Sequence, residues 1–162
     1  MVTEGRSTAA VIDEVLAGQP EVAARLATAH EAAWATVDPV LLELCRLRIA
    51  QLLGDEGEAA ARTPAAVAAG LDEATVAELR SWPSSPRFGP RERACLALCE
   101  QSVVDVAGID RGLTDAVAAE LGVQGLADLV SALLVVEQRQ RLHLLWSGLF
   151  GTTGAEVPDG GA

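Results

Sequence analysis

The sequence predicts an all-α protein, and three observations support this. Apolar residues recur at helical spacing along most of the chain, and no convincing alternation of apolar and polar residues indicates a strand. Half of the residues are hydrophobic but only 3% are aromatic, so the core must be aliphatic. Proline-led helix starts and glycine stops divide the chain into segments. Its 162 residues fit a single domain with a real core.

Each predicted helix is placed by its start and stop signals. Asp38-Pro39 combines an acidic N-cap with proline in the first turn, and Thr63-Pro64 repeats this pattern. Glycines at 54, 70 and 122 are typical helix stops. The predicted helices in chain order are Ala9–Ala17, Pro20 to about Ala35, Pro39 to Gly54, Pro64 to Gly70, Asp72 to about Ser81, Pro90 to about Val106, Leu113–Leu121 and Gln124–Phe150.

Segments without helical spacing complete the expected organisation. Residues 82–89, WPSSPRFG, form an irregular connector because they contain two prolines. We expect residues 1–19 to be an N-terminal extension with a short helix and residues 20–150 to be the helical domain. We expect residues 151–162 to be a disordered tail, because their composition cannot bury an apolar surface.

Charge and cysteine content restrict the expected partners and compartment. The net charge is −11 and lysine is absent, which argues against nucleic acid or an anionic membrane as a partner. Three cysteines without a Cys-x-x-Cys pair favour reduced thiols, and the N-terminus lacks the basic and apolar regions of a signal peptide. Charges interrupt the longest apolar stretches short of a membrane span. We therefore expect a soluble, cytoplasmic protein.

Residues 41–71, LLELCRLRIAQLLGDEGEAAARTPAAVAAGL, resemble the AhpD-like (alkylhydroperoxidase, carboxymuconolactone decarboxylase) family. The segments AGLDEATVAELRSW and FGPRERACLALCEQ, and Gln140-Arg141-Leu142 near the end, are similar to further motifs of that family. The likeness covers roughly residues 20 to 150. It implies an all-α domain, and it implies homo-oligomers such as dimers, trimers or hexamers.

The redox members of that family carry a glutamate, a Cys-x-x-Cys pair and a histidine. On this sequence the glutamate corresponds to Glu43, but the cysteines fall on Asp55 and Glu58 and the histidine falls on Arg62. Carboxylates cannot form a disulfide, and arginine does not exchange protons near neutral pH. The resemblance therefore implies a member without thiol peroxidase chemistry. It implies no cofactor.

Two interpretations of the substituted positions stay open. In one, Asp55 and Glu58 form an N-capping box, and Glu58 pairs with Arg62 four residues on. In the other, Glu43 and either Asp55 or Glu58 are proton-transfer groups in a pocket, and Arg62 binds an anionic substrate. Glu43 has a structural alternative of its own, an ion pair with Arg46 or Arg48.

The second interpretation predicts a cofactor-independent acid/base enzyme of the decarboxylase, isomerase or cyclase type, acting on a small organic molecule. His143 and Arg141 are further candidates for lining its pocket. No spacing of histidines or acids indicates a metal site. The alternative is a non-catalytic, homo-oligomeric binding or interaction protein, and a residual thiol antioxidant acting through Cys45 is a third hypothesis.

Overall fold

The computed structural model describes residues 8–150 and confirms the all-α prediction, with no strand in that range. Its helices are Thr8–Val15 (α1), Pro20–Thr36 (α2), Pro39–Leu53 (α3), Glu56–Ala60 (α4), Pro64–Ala68 (α5), Glu73–Ala77 (α6), Pro90–Val104 (α7) and Arg111–Phe150 (α8). Single 3-10 turns follow α6 and α7. The predicted tail, residues 151–162, lies outside the described residues.

The predicted caps of α3 are confirmed. The Asp38 side chain accepts a hydrogen bond of 2.9 Å from the backbone N–H of Leu41. Gly54 ends the helix with φ of 74°, in the left-handed region that glycine enters at no steric cost. These two caps fix where the chain leaves α3 and turns towards residues 55–63, which carry the substituted family positions.

The last two predicted helices lie end to end in α8. Gly122 interrupts their dihedral angles with φ of 76° and ψ of 169°, so it marks a kink between two helical stretches. Sequence signals therefore placed this boundary at the right residue. The chain continues in helix beyond the kink instead of entering a loop.

Helix α3 is the centre of the domain. It packs against α7 and α8 and against the short helices α4 and α5, while α8 also packs against α1, α2 and α7. Most of the surface of α3 is covered by these neighbours. Its buried apolar residues are Leu41, Leu42, Leu44, Cys45, Leu47, Ile49 and Ala50, and the charged residues Glu43 and Arg46 are buried with them.

Helix α8 has apolar residues on two faces. One face, including Leu129, Leu133 and Val136, is buried in the core. The other is exposed and carries Val123, Val130, Leu134, Leu145 and Leu149. By length and composition alone α8 could cross a membrane, so the expectation that every apolar stretch is too short was wrong for this helix. A core helix of a globular domain passes the same test, and α8 packs against four other helices.

Candidate functional site

A buried arginine joins α3 to the segment that carries the substituted positions. Arg46 donates two hydrogen bonds of 2.8 Å to the carboxylate of Glu43, one from Nε and one from Nη2. It also donates to the carboxylate of Glu58 at 2.6 Å and to its carbonyl oxygen at 3.0 Å. A fifth bond, of 2.8 Å, reaches the carbonyl oxygen of Ala61. All five guanidinium N–H groups therefore have an acceptor.

The Glu43 carboxylate is equally saturated. Besides the two bonds from Arg46, it accepts a bond of 3.0 Å from the backbone N–H of Thr63 and one of 3.1 Å from the Thr63 hydroxyl. Four bonds fill the acceptor positions of a carboxylate, and the residue is fully buried. This geometry favours the structural alternative for Glu43, an ion pair with Arg46, over a proton-transfer role. The sequence does not show that Thr63 completes the pair.

The charges of the network support one another. Burial by itself lowers the pKa of Arg46, but the hydrogen bonds and negative charges of Glu43 and Glu58 outweigh it and raise that pKa. Arg46 therefore stays charged at any physiological pH. Its contacts with Glu58 and Ala61 attach the chain around α4 to α3, and Thr63 attaches the start of α5 to the same carboxylate.

Asp55 acts as the N-cap of α4. Its Oδ1 accepts a hydrogen bond of 3.0 Å from the backbone N–H of Glu58, as the capping interpretation predicts. The Glu58 carboxylate accepts a hydrogen bond from Arg46. In a full capping box it would accept the backbone N–H of Asp55. The predicted ion pair of Glu58 with Arg62 is wrong. Helix α4 ends at Ala60, before Arg62, so the two side chains do not share a helical face.

Arg62 instead joins α4 to α6. Two of its nitrogens bond the carboxylate of Glu73 at 2.9 and 3.0 Å, and Nη1 bonds the carbonyl oxygens of Ala59, Ala60 and Ala61. Free carbonyls at the end of a helix are satisfied in this way by a basic side chain. The Arg62 side chain also lines the cavity described below. The sequence predicts an anion-binding role for this residue.

The second oxygen of Asp55 contacts a histidine from the other end of the chain. Asp55 Oδ2 and His143 Nδ1 lie 2.8 Å apart, although the residues are 88 positions apart in sequence. The Asp55 side chain is 4% exposed and that of His143 is 13% exposed. The sequence predicts both residues as site candidates, but nothing in it pairs them. A buried carboxylate that holds one imidazole nitrogen orients the ring and sets which nitrogen carries the proton.

A cavity of about 300 Å³ lies between α2, α8 and the segment from α4 to α5. Its lining residues include Glu58, Arg62 and Thr63 from that segment, His30 from α2, and Val136, Arg139 and Gln140 from α8. Among the described residues of this lining, Glu58 is the only one with a carboxylate, and its side chain is 16% exposed. The three acids named from sequence thus have separate places: Glu43 in the core, Asp55 at a helix start and Glu58 at the cavity.

Arg139 adds a positive charge to the cavity, and His30 beside it is neutral. Within residues 8–150, no hydrogen bond or ion pair satisfies Arg139. Burial lowers the pKa of Arg139, against the charges of Glu58 and Asp13, which raise it. Burial, together with the Arg139 charge, lowers the pKa of His30 to about 4, so this imidazole is neutral at physiological pH. A positive charge without an acidic partner is suited to binding an anion.

The structure places the other two predicted pocket residues elsewhere. Arg141 pairs with Glu137 on an exposed face of α8, 2.7 Å away, and does not line the cavity. His143 lies four residues after Arg139 on the same face of α8, next to Asp55 rather than beside Arg141. Arg139, Gln140 and His30 line the cavity without having been predicted to do so. Only Gln140 had a signal in the sequence, because it continues the stripe of the buried residues Leu133 and Val136.

The three cysteines are buried and lie apart from the cavity lining. A hydrogen bond with Cys99, followed by burial, raises the pKa of Cys45 well above its ordinary value. Burial also raises the pKa of Cys95 to about 12. Thiols of this kind carry almost no thiolate near neutral pH, and the thiolate is the nucleophile. The geometry gives the thiol antioxidant hypothesis no support.

We predict that the native thiols are unreactive. In the folded protein at pH 8, Ellman's reagent should titrate none of Cys45, Cys95 and Cys99, because all three are buried. In guanidinium chloride it should titrate all three. Rapid reaction of Cys45 in the native protein, lost in Cys45→Ser, would show that the thiol is accessible and would restore the antioxidant hypothesis.

No group of three or more His, Cys, Asp or Glu side chains in the described part of the chain has the arrangement of a metal site. The titratable groups of the described lining are Glu58, Arg46, Arg62, Arg139 and His30, and the Asp55–His143 pair adjoins them through the bond from the Glu58 backbone to Asp55. Such groups can bind an anion and transfer protons.

Fold and site together define an all-α, AhpD-like helical protein with a small charged cavity. The profile of the carboxymuconolactone decarboxylase family matches residues 20–101, half of the chain. The chain therefore belongs to the carboxymuconolactone decarboxylase family. No curated protein matches it.

Proposed function

We propose that this protein is a cofactor-independent acid/base enzyme, of the decarboxylase, isomerase or cyclase type, that acts on a small organic acid. The observation that carries the proposal is the cavity that brings the Glu58 carboxylate together with Arg139, which has no acidic partner among the described residues. Arg139 would hold a carboxylate of the substrate. Glu58 would transfer a proton to or from the substrate atom next to that carboxylate.

The size and charge of the cavity restrict the substrate. Ligand cavities in proteins hold about 300–1,000 Å³, so this one, at about 300 Å³, suits a compact molecule. The protein has a net charge of −11, which disfavours anionic ligands over most of its surface. An anion that enters the cavity must therefore be recognised locally, and Arg139 and Arg62 supply that recognition. We place this activity in the cytoplasm, where the free thiols would stay reduced.

Binding of malonate, a small dicarboxylate, tests the role of Arg139. We predict that Arg139→Gln weakens malonate binding about 10–100-fold, because a hydrogen bond to a charged group contributes about 1.5–3 kcal/mol. The matched control is Arg141→Gln, two residues away on the same helix but paired with Glu137, and it should leave the dissociation constant unchanged. Isothermal titration calorimetry gives both constants. Equal affinities in the two variants would remove Arg139 from the site.

A second candidate function is that of a homo-oligomeric binding or interaction protein without turnover. The exposed face of α8 favours it, since Val123, Val130 and Leu134 follow one another at spacings of seven and four residues. That spacing places them along one helix face, as in a helix–helix interface. Exposed apolar stripes of this kind mark contact surfaces, and we propose a second copy of the chain as the partner.

The oligomer proposal predicts that Leu134→Glu dissociates the protein. Leu134 is 60% exposed, and a charge there should be desolvated at a helix–helix interface. The control is Val67→Glu on α5, where the exposed fraction is nearly the same, at 57%. Sedimentation equilibrium should show an oligomer for the parent and for Val67→Glu but a monomer for Leu134→Glu. A monomeric parent protein would contradict the proposal.

A further inference from the structure

We infer that His143 is a second proton-transfer group of this site, with Nε2 as a general base, and that Asp55 is its positioning residue. The inference rests on the proposed function, which it deepens by supplying a base beside the cavity. Its structural basis is the pair formed by Asp55 Oδ2 and His143 Nδ1, 2.8 Å apart.

The Asp55 carboxylate is held at both oxygens. Oδ1 accepts the backbone N–H of Glu58, and Oδ2 faces the imidazole of His143. An ionised carboxylate accepts a hydrogen bond and cannot donate one, so the shared proton belongs to Nδ1 of His143. In the neutral tautomer that carries this proton, Nε2 has the lone pair. This is the arrangement by which a buried aspartate directs a histidine base in enzymes.

Nε2 of His143 is not sealed off from solvent. Across residues 8–150, the buried side-chain nitrogens and oxygens that lack a partner are His30 Nδ1, Trp34 Nε1 and Gln140 Oε1. No described residue bonds Nε2 of His143, yet this atom is not among them, so it must reach solvent. A buried helix-stabilising histidine would instead have both nitrogens satisfied or enclosed.

The pair also lies beside the proposed site. His143 is one helical turn beyond Arg139 on α8, and Asp55 bonds the backbone of Glu58. In a reaction, Nε2 would take a proton from a C–H or O–H group of the bound acid and become an imidazolium. The other proton would stay on Nδ1 of His143, hydrogen-bonded to Asp55, and the negative charge of Asp55 would stabilise the imidazolium. Nε2 would return a proton to the product, either the one it took or one exchanged with solvent, so no further reactant is needed.

Asp55→Asn is the decisive variant because it separates the cap from the base. Asparagine is as good an N-cap as aspartate, so α4 should remain intact. Its amide N–H would face Nδ1 of His143 and drive the proton to Nε2, which removes the base. The control is Asp110→Asn, because Asp110 accepts the backbone N–H of Leu113 at 2.8 Å in the same i to i+3 geometry without a histidine partner.

The first measurement is the imidazole nitrogen spectrum of ¹⁵N-labelled protein, which is simple because the chain has two histidines and His30→Gln leaves only His143. We expect a protonated Nδ1 and a bare Nε2 in the parent and in Asp110→Asn, and the opposite tautomer in Asp55→Asn. A protonated Nε2 in the parent protein would overturn the inference.

The second measurement separates a positioning role from a structural one. With small 2-oxo acids in D₂O, Asp55→Asn and His143→Gln should lower the rate of deuterium incorporation about 10²–10⁴-fold. Malonate affinity and the midpoint of urea unfolding should remain those of the parent. Unchanged exchange rates in either variant would overturn the role. A loss of both malonate affinity and stability in these variants would also overturn the role, because it would show that the Asp55–His143 pair is structural.

If the parent protein exchanges no deuterium with any 2-oxo acid, the proposed function fails, but the pair is still tested. Diethyl pyrocarbonate reacts with the unprotonated nitrogen of imidazole. We expect His143 to react in His30→Gln, malonate to slow the reaction, and Asp55→Asn to slow it further. An unreactive His143 in the His30→Gln background, or one that malonate leaves unprotected, would overturn the inference independently of turnover.

Discussion

Arg46→Met should destabilise the folded protein by about 3–5 kcal/mol, because it leaves a buried carboxylate without its countercharge. Glu43 is fully buried and keeps only the two hydrogen bonds from Thr63 in this variant. The chain around α4 loses its attachment to α3 at the same time, because Glu58 and Ala61 no longer have Arg46 as a donor. Urea unfolding monitored by circular dichroism at 222 nm gives the free-energy difference from the parent protein.

Two further variants show whether the effect belongs to the buried network. Arg25→Met breaks an exposed pair with Glu21, and such a pair contributes at most about 1 kcal/mol. The double variant Glu43→Met/Arg46→Met removes both charges and should recover much of the lost stability, since an apolar pair can replace a buried ion pair. If Arg46→Met were no more destabilising than Arg25→Met, Glu43 would not depend on Arg46 for its burial.

Glu58→Gln should lower turnover about 10²–10⁴-fold, because it replaces the only carboxylate residue in the described cavity lining by an amide that cannot take a proton. The amide oxygen can still accept the bond from Arg46, so the network and the fold should persist. The rate of deuterium incorporation into small 2-oxo acids in D₂O, followed by proton NMR, measures the effect.

The matched control for that variant is Glu56→Gln, on the same short helix but exposed and absent from the cavity lining. It should exchange deuterium at the parent rate. Malonate should bind Glu58→Gln with an affinity no weaker than that of the parent, because Arg139 remains. A Glu58→Gln protein that turns over as fast as Glu56→Gln would remove Glu58 from the chemistry and would leave the binding-only alternative in place.

Sequence signals predicted the local structure well because those signals are themselves local. The start of α3 at Asp38-Pro39, its end at Gly54 and the break at Gly122 each depend on the conformational preference of one or two residues. The Asp55 cap belongs to the same class. Its acceptor and donor are three residues apart, so spacing offered the cap as one of the two interpretations of Asp55.

The arrangement of the site was less predictable because its contacts join distant parts of the chain. Spacing could offer Glu58 a partner four residues away, but Glu58 bonds Arg46, twelve residues before it. The Asp55–His143 contact spans 88 residues, and the Gln140 side chain donates to the carbonyl oxygen of Arg46 across 94. Nothing in helical periodicity records such pairs.

The sequence predicted that Arg141 lines the pocket and did not predict this for Arg139, and the reason lies in helix α8. Helix α8 is apolar on two faces, with Leu133 and Val136 buried but Val130 and Leu134 exposed. Periodicity on such a helix does not show which stripe faces the core. The buried stripe, extended to Gln140, brings Arg139 to the cavity and turns Arg141 to solvent, where it pairs with Glu137.

The most direct test of the proposed site is a crystal structure of the protein with malonate bound. We predict that one carboxylate of malonate lies within hydrogen-bond distance of the Arg139 guanidinium, and that the rest of the molecule lies in the cavity towards Glu58. Malonate bound elsewhere, with the cavity holding only water at a saturating concentration, would contradict the proposal that this cavity is the active site.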